Sequence, residues 1–486
     1  VARRLEERSV GAAGANKQTA EPERETDEAG RLEYEIDGRT SLSSGGDDST
    51  IGKDEIHDNH AGATFVQGAA MLGAAVVLSK ILGTLQKIPL QNVAGDRVFG
   101  IYNAVYPFYQ LLLVMATAGF PVAISIIVAQ QAAAGDGRGA RRTLQASAML
   151  LAAAGIAGFG VMWGGAGLIA GWIGDADAEQ AIRSSALALW VAPLMAALRG
   201  YYQGLGRMLP TAASQLAEQT VRVAAMLALL GLGWQLGWSD ASLAAGATAG
   251  SAVGGLAGLA VMLNVWLRDK RKNAGDGPEE AGGLRLDQRQ TRQSIGQTVR
   301  QLAKLALPVT LGALAVPALG VVDAFTVPRL LGASGMSEAE AMAQFGLYSR
   351  GQPLVQLVVM IAGAVGAALV PALVAARMRA DQEGARQQAA DAMTGAWWIG
   401  TGAAAGLALL ASPVNRMLYA DEAGTITFAL VGCTALVGTV NAVAASVLQG
   451  IGAVRAPAMF MLGAAVLKAA LNAALVPALG ISGAAI

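Results

Sequence analysis

The stretch Phe99-Gly-Ile-Tyr-Asn-Ala-Val-Tyr-Pro-Phe-Tyr-Gln opens an apolar segment that runs to Gln130, and a close copy of it returns later in the chain. Phe345-Gly-Leu-Tyr-Ser-Arg-Gly-Gln-Pro-Leu-Val-Gln also opens an apolar segment. Phe99, Gly100, Tyr102, Pro107, Gln110 and Leu111 meet Phe345, Gly346, Tyr348, Pro353, Gln356 and Leu357, each pair 246 positions apart. The same shift carries Gln203-Gly-Leu-Gly206 onto Gln449-Gly-Ile-Gly452, and Pro210 meets Pro457 with one extra residue. Two motifs sharing one offset identify a duplicated unit, so whatever one copy builds the other must build too.

Each copy is made of apolar runs of about 20 residues or more, the length a helix needs to span hydrocarbon. The chain is 54% hydrophobic and only 14% charged, where a soluble domain carries about a quarter charged residues. The short alternating segments of a transmembrane barrel are missing. The expected fold is therefore an all-α polytopic membrane protein of two six-helix repeats, the second truncated, facing a central cavity. Spans are expected near 63–90, 98–133, 143–173, 181–206, 211–237 and 241–267, then near 301–331, 345–376, 392–419, 425–451 and 455–477. The domains follow: a disordered acidic cytoplasmic tail over 1–60, an N-lobe of six transmembrane helices over 61–268, a basic cytoplasmic linker over 269–298, and a C-lobe over 299–486. The C-lobe holds five helices and the start of a sixth, which reads as a truncated copy.

Formal charge is zero overall, but residues 1–60 hold 8 basic and 15 acidic residues. The tail, low in aromatics and high in net charge, has the composition of a disordered segment. Both histidines, His57 and His60, lie in it, so no imidazole chemistry is expected in the spans. The single Cys433 excludes an internal disulfide and a thiolate metal cluster, and it reads as a small packing residue. Loops after even-numbered spans carry Arg138, Arg141, Arg142, Arg207, Arg268, Lys270, Arg271, Arg377, Arg379 and Arg455, whereas the alternate loops carry almost none, Arg97 excepted. This alternation predicts a cytoplasmic N-terminus and linker. Six spans separate the repeats, so the two units share one topology.

Charged residues inside spans are costly and become functional candidates. Lys80 and Lys87 lie seven apart in the first span, hence on one helix face about 10 Å apart. Two ammonium groups on one face suit an anion with several oxygens, such as a diphosphate; the alternative is snorkelling to an interface. Arg350 lies inside the eighth span beside Gly351-Gln352-Pro353, and the proline removes a backbone donor there. It is either a cavity contact that forks to phosphate or one half of a structural ion pair. Glu218 and Arg222 are spaced i, i+4, so they either neutralise one another or Glu218 takes a proton or cation during transport. Asp323 has no i+4 base, and either pairs with a base on another helix or binds a coupling ion. The loops carry no nucleotide-phosphate motif, metal cluster or nucleophile elbow, so neither an enzyme nor ATP drive is expected, and no cofactor, metal or nucleic acid is implied.

Several stretches also carry a family resemblance: Ser79-Lys-Ile-Leu-Gly, Phe99-Gly-Ile-Tyr with Tyr106-Pro107, Thr117-Ala-Gly-Phe-Pro-Val-Ala-Ile-Ser125, Pro210-Thr-Ala-Ala-Ser-Gln-Leu-Ala-Glu, Asp323-Ala-Phe-Thr-Val-Pro-Arg and Arg350-Gly-Gln-Pro-Leu-Val-Gln. From about Thr64 onward the chain resembles the stage V sporulation protein B branch of the polysaccharide-export membrane proteins. These belong to the multidrug/oligosaccharidyl-lipid/polysaccharide exporter superfamily, alongside the lipid II flippases. The resemblance implies two lobes around a V-shaped cavity, alternating access, and a multi-pass protein of the bacterial inner membrane. It implies a lipid-linked saccharide as cargo, an undecaprenyl-diphosphate-linked precursor such as lipid II, for peptidoglycan or other polysaccharide synthesis, in vegetative growth or sporulation. Lys80, Arg350 and Lys87 would then meet the diphosphate, and Glu218 or Asp323 would couple the cycle to H+, Na+ or membrane potential. A multidrug exporter and a non-transporting scaffold for envelope synthesis are the rival readings.

Overall fold

The computed structural model describes residues 68, 70–275, 295–453 and 456–486. The expected acidic tail over 1–60 and most of the linker over 269–298 lie outside the described residues. Among those described there are helices and turns and no strand. In chain order the helices are α1 (70–85), α2 (Lys87–Thr117), α3 (Phe120–Ala133), α4 (Gly137–Gly164), α5 (Ala166–Ile173), α6 (Ala178–Ala186), α7 (Ala188–Gly204), α8 (Met208–Gln235) and α9 (Asp240–Gly275). After the linker come α10 (Ile295–Ala333), α11 (Glu338–Ser349), α12 (Gln352–Met378), α13 (Gln382–Leu409), α14 (Ala411–Tyr419), α15 (Thr425–Gly450), α16 (Ala456–Leu479) and α17 (Ile481–Ala485).

Among the described residues eight helical runs are long and apolar enough to cross a membrane, up to ten when each bent pair is one span. One of the eight, Ala70–Ala133, is 64 residues long and makes two crossings. Gly95 sits at φ 78° and ψ 175°, a region essentially reserved for glycine, and the chain doubles back there. The side chains prove the reversal. Lys87 Nζ lies 3.1 Å from Asn103 Oδ1 and Gln86 Nε2 lies 3.3 Å from Tyr102 OH. In a straight helix residues 16 apart would be about 24 Å apart along the axis. The sequence places a loop over 91–97, but the turn is a single glycine.

The duplication extends into the irregular backbone. Asp136 caps α4 by accepting from Gly139 N, and Asp381 caps α13 by accepting from Gly384 N. Each unit's third span is broken at the same place, α4 into α5 and α13 into α14, the second by 72°. The symmetry fails at two points. The Arg350-Gly351 break between α11 and α12 falls where α2 runs straight through, whereas α2 breaks from α3 at Ala118-Gly119 where α12 is continuous. Cys433, expected to pack, lies exposed on α15.

The two lobes meet through α2 against α10 and α11. Here the repeated motifs pack on each other. A Cβ at Gly100 would collide with the carbonyl oxygen of Met342, and a Cβ at Gly346 with that of Asp96. Gly100 and Gly346 are equivalent positions, and so are Asp96 and Met342, so a pseudo-twofold axis passes between the two motifs. Phe99, Tyr102 and Val105 join Phe345 and Tyr348 in one buried cluster around it. Alanine is a better helix former than glycine, yet Gly100→Ala and Gly346→Ala each force two backbones apart. We expect each to lower the thermal midpoint of the purified protein, at an overpacking cost of about 1–3 kcal/mol. Gly160, with open space around it, gives the control: Gly160→Ala leaves the midpoint unchanged or slightly raised.

Candidate functional site

A cavity of about 560 Å³ lies between the lobes, within the range of small-molecule sites. α2 contributes Lys87, Asn103, Tyr106 and Gln110, and the second unit contributes Tyr348, Gln352, Gln356 and Lys468. Tyr106 and Gln352 are equivalent positions, as are Gln110 and Gln356, so the duplication supplies both walls. Pro107, Pro317 and Gly320 also line the space. Proline cannot donate to the carbonyl four residues earlier, so Pro107 leaves the Asn103 carbonyl without its helical partner. Irregular backbone at membrane depth is tolerated where it lines a cavity.

Lys87 is buried, donates to Asn103 Oδ1 at 3.1 Å and lies 5.6 Å from the centre of the Tyr106 ring. Among the described residues no carboxylate comes within ion-pair distance of it. It lines the cavity. Lys80 is exposed on α1 and is not among the lining residues, so the structure does not bring the two lysines into one pocket.

Lys468, on α16, is the second cation in the wall. Its Nζ is 3.3 Å from Asp323 Oδ2 and 3.4 Å from Tyr348 OH. Asp323, which the sequence left open between a base on another helix and a coupling ion, has this base as its partner. Tyr348 OH donates to Asp323 Oδ2 at 2.9 Å and Asn472 Nδ2 to Oδ1 at 3.1 Å. Lys468 escaped the sequence reading although the rule that singled out Lys87, a charge inside an apolar run, applies to it equally.

Glu218 and Arg222 form the expected i, i+4 pair, and Arg199 of α7 joins them. Arg199 Nη2 lies 2.9 Å from Glu218 Oε2 and 2.8 Å from Ser214 Oγ, and Arg222 Nη2 reaches Glu218 Oε1. One carboxylate thus holds two guanidinium groups inside the N-lobe, away from the cavity wall.

Arg350 corrects an expectation. It does not line the cavity, and its side chain is 1% exposed. Nε and Nη2 donate to Asp96 at 2.9 and 2.7 Å, and Nη1 and Nη2 donate to Asp421 at 2.6 and 3.0 Å. Nη1 also reaches Asn415 Oδ1 at 3.4 Å, and Tyr419 lies 5.1 Å below the guanidinium while its hydroxyl donates to the Arg350 carbonyl. A guanidinium has five N–H donors in a fixed fork, and carboxylates from both lobes have taken the directions a phosphate would need. The site closes one end of the interlobe space. Beside it Arg97 pairs within the N-lobe with Asp240 at 2.8 Å, Asp177 at 2.6 Å and Asp175 at 3.7 Å. That explains why a base stands among the acidic loops of this end.

The fold is that of the two-lobed exporters. It superposes on an inward-facing multidrug resistance MATE family transporter of the MOP superfamily with a TM-score of 0.67 at 15% identity, covering 84% of this chain and 89% of that one. Against the structure of a lipid II flippase MurJ in an inward closed conformation the TM-score is 0.61 at 12% identity, covering 86% and 83%. Residues 65–377 match the family described as polysaccharide biosynthesis protein, and the chain belongs to that family. It is 34% identical over 423 residues to the uncharacterized membrane protein YabM of Bacillus subtilis (strain 168), covering 86% of this chain and 76% of that protein. It is 26% identical over 436 residues to the lipid II flippase MurJ of the same organism, covering 86% and 78%.

Removing one partner of a buried ion pair leaves the other uncompensated and costs about 3–5 kcal/mol. Arg350→Met should therefore destabilise the protein far more than Asp421→Asn, measured as thermal midpoints in detergent. The Arg350 hydrogen bond also holds the Asp421 carboxyl below the ordinary carboxylate range. A group depressed on folding stabilises above its unfolded pKa, about 3.9 for Asp, and that contribution is lost as pH falls through the lower folded value. The difference in midpoint between the parent protein and Asp421→Asn should hold at neutral pH and shrink below about pH 4.

Proposed function

We propose that the chain is a transporter of the inner membrane that carries an undecaprenyl-diphosphate-linked saccharide, lipid II foremost, from the cytoplasmic to the outer leaflet by alternating access. The observation that carries the reading is the interlobe cavity whose lining charges are Lys87 and Lys468, the first without a carboxylate partner among the described residues. Two ammonium groups lining one cavity, one from each lobe, suit a diphosphate. Gln110, Gln352, Gln356, Asn103 and Tyr106 supply donors and acceptors for sugar hydroxyls, and the polyprenyl tail stays in lipid. The N-terminus and linker are cytoplasmic in this reading, so the Arg350 end faces outward and is closed. Lys80, exposed on α1 and outside the cavity lining, has a lesser part in this reading. Membrane potential supplies a driving force: an anion moving to the positive outer side gains about 2.3 kcal/mol per charge per 100 mV. Glu218 and Asp323 are both engaged in ion pairs, which favours potential over a carboxylate ion site.

Export of cationic drugs on the same fold would want a carboxylate facing the cargo, and the described lining residues include none. A scaffold would have no use for an unpaired buried lysine.

The test is complementation in a bacterium depleted of its own lipid II flippase, reading how much lipid II becomes accessible at the outer face. We expect the chain to restore it, Lys87→Met and Lys468→Met each to lose it by tenfold or more, and Lys80→Met to lose less. Restoration undiminished in both cavity variants would defeat the diphosphate site. No restoration by an inserted protein would remove lipid II and leave another polysaccharide lipid.

A further inference from the structure

The two cavity lysines are not equivalent. Among the described residues Lys87 has no counter-ion, whereas Lys468 shares its charge with Asp323 at 3.3 Å. Asp323 is not part of the cavity wall. It lies behind Lys468, its side chain 9% exposed against 30% for the lysine. Both its oxygens carry other donors, Tyr348 OH on Oδ2 and Asn472 Nδ2 on Oδ1, and Asn472 is itself tied to Thr326 Oγ1 at 2.8 Å. The carboxylate is thus fixed in place and stays hydrogen-bonded if Lys468 turns away. Lysine is a point charge on a flexible four-carbon stem, so of the two partners the ammonium is the one able to move.

We propose that Asp323 is a positioning residue that competes with the cargo for Lys468. The inference rests on the anionic-cargo reading and adds a release step to it. While an anion is bound, Lys468 turns from Asp323 into the cavity and the anion is held by both lysines. When Asp323 takes Lys468 back, the anion is held by Lys87 alone and leaves. A transport site must bind well enough to load and weakly enough to unload. Two unopposed ammonium groups in one cavity would hold a diphosphate too long, and a fixed internal carboxylate removes that trap without touching the cargo.

The experiment is pyrophosphate binding to the purified full chain in detergent, by calorimetry for affinity and by stopped flow for dissociation. Asp323→Asn keeps the shape and removes the competitor. It should bind pyrophosphate about tenfold more tightly, equal to about 1.4 kcal/mol, chiefly through slower dissociation. Lys468→Gln should bind more weakly than the parent, and adding Asp323→Asn to it should change nothing further, because Asp323 acts through Lys468. A merely structural carboxylate predicts the opposite sign, weaker binding in Asp323→Asn with or without the lysine. Should Asp323→Asn not fold, infrared difference spectra replace it: pyrophosphate should shift a carboxylate band in the parent protein and not in Lys468→Gln. Lysine-dependent binding that Asp323→Asn leaves unchanged or weakens, or the absence of that band shift, overturns the competition alone. Pyrophosphate binding indifferent to Lys87→Met and Lys468→Gln, or no binding at all, overturns the anionic-cargo reading and the competition with it.

Discussion

A guanidinium with almost no exposure cannot stand in a membrane protein without anions, and around Arg350 those anions come from both lobes. Asp96 belongs to the first unit and Asp421 to the second. Whenever Arg350 is satisfied in this way, the two lobes are joined at that end. Burying the cluster does not itself make the fold more stable, because desolvation offsets much of the Coulombic gain. What it does is penalise wrong arrangements, since any separation that keeps Arg350 buried and strips a carboxylate is costly. The reciprocal approach of Gly100 and Gly346 works on the same interface from the side of shape. Small residues let the backbones touch, and the charges fix the register in which they do so.

That closed end decides where the accessible volume can be. With α2, α10 and α11 in contact, a cavity lined by Lys87 and Lys468 is left between the lobes. Charge is arranged around it in layers. Carboxylates lie in the Arg350 and Arg97 clusters and behind Lys468, whereas the cavity wall itself carries ammonium groups and neutral amides. In the N-lobe the Arg199–Glu218–Arg222 group keeps a further positive charge inside the helix bundle. Among the described residues, Lys87 is thus the charge in the cavity wall that stands without an ion pair.

Much of this was legible from residues alone. The 246-residue offset announced two units of one topology, and the structure adds recurring Asp caps and recurring broken third spans, each one residue short of that shift. The cost of intramembrane charge picked out Lys87, the Glu218–Arg222 pair and Asp323. The same rule could not tell a wall from an interior. Arg350, assigned to a phosphate, has its donors taken by Asp96 and Asp421, two loop-end aspartates that no periodicity links to it. Lys80 has the spacing of a helix face shared with Lys87 but not its pocket, because spacing says nothing of where the opposing lobe stops. Lys468 was passed over for want of a motif, and its meaning arises only from Asp323, far from it in sequence.

By itself, then, the sequence determined that the chain crosses a membrane many times as helices, because apolar length and low charge leave no other way to satisfy the backbone in hydrocarbon. It determined the duplication, the alternation of basic and acidic loops, and the presence of charges that must find partners. The tertiary structure decided which partners those are. Ion pairing depends on distances between side chains on different helices, and these follow from how two lobes pack at Gly100 and Gly346 and how a single glycine, Gly95, folds one long helix back on itself. Which lysine faces open space, which arginine is sealed and which carboxylate stands behind a cation are properties of that packing, and no local pattern in the chain encodes them.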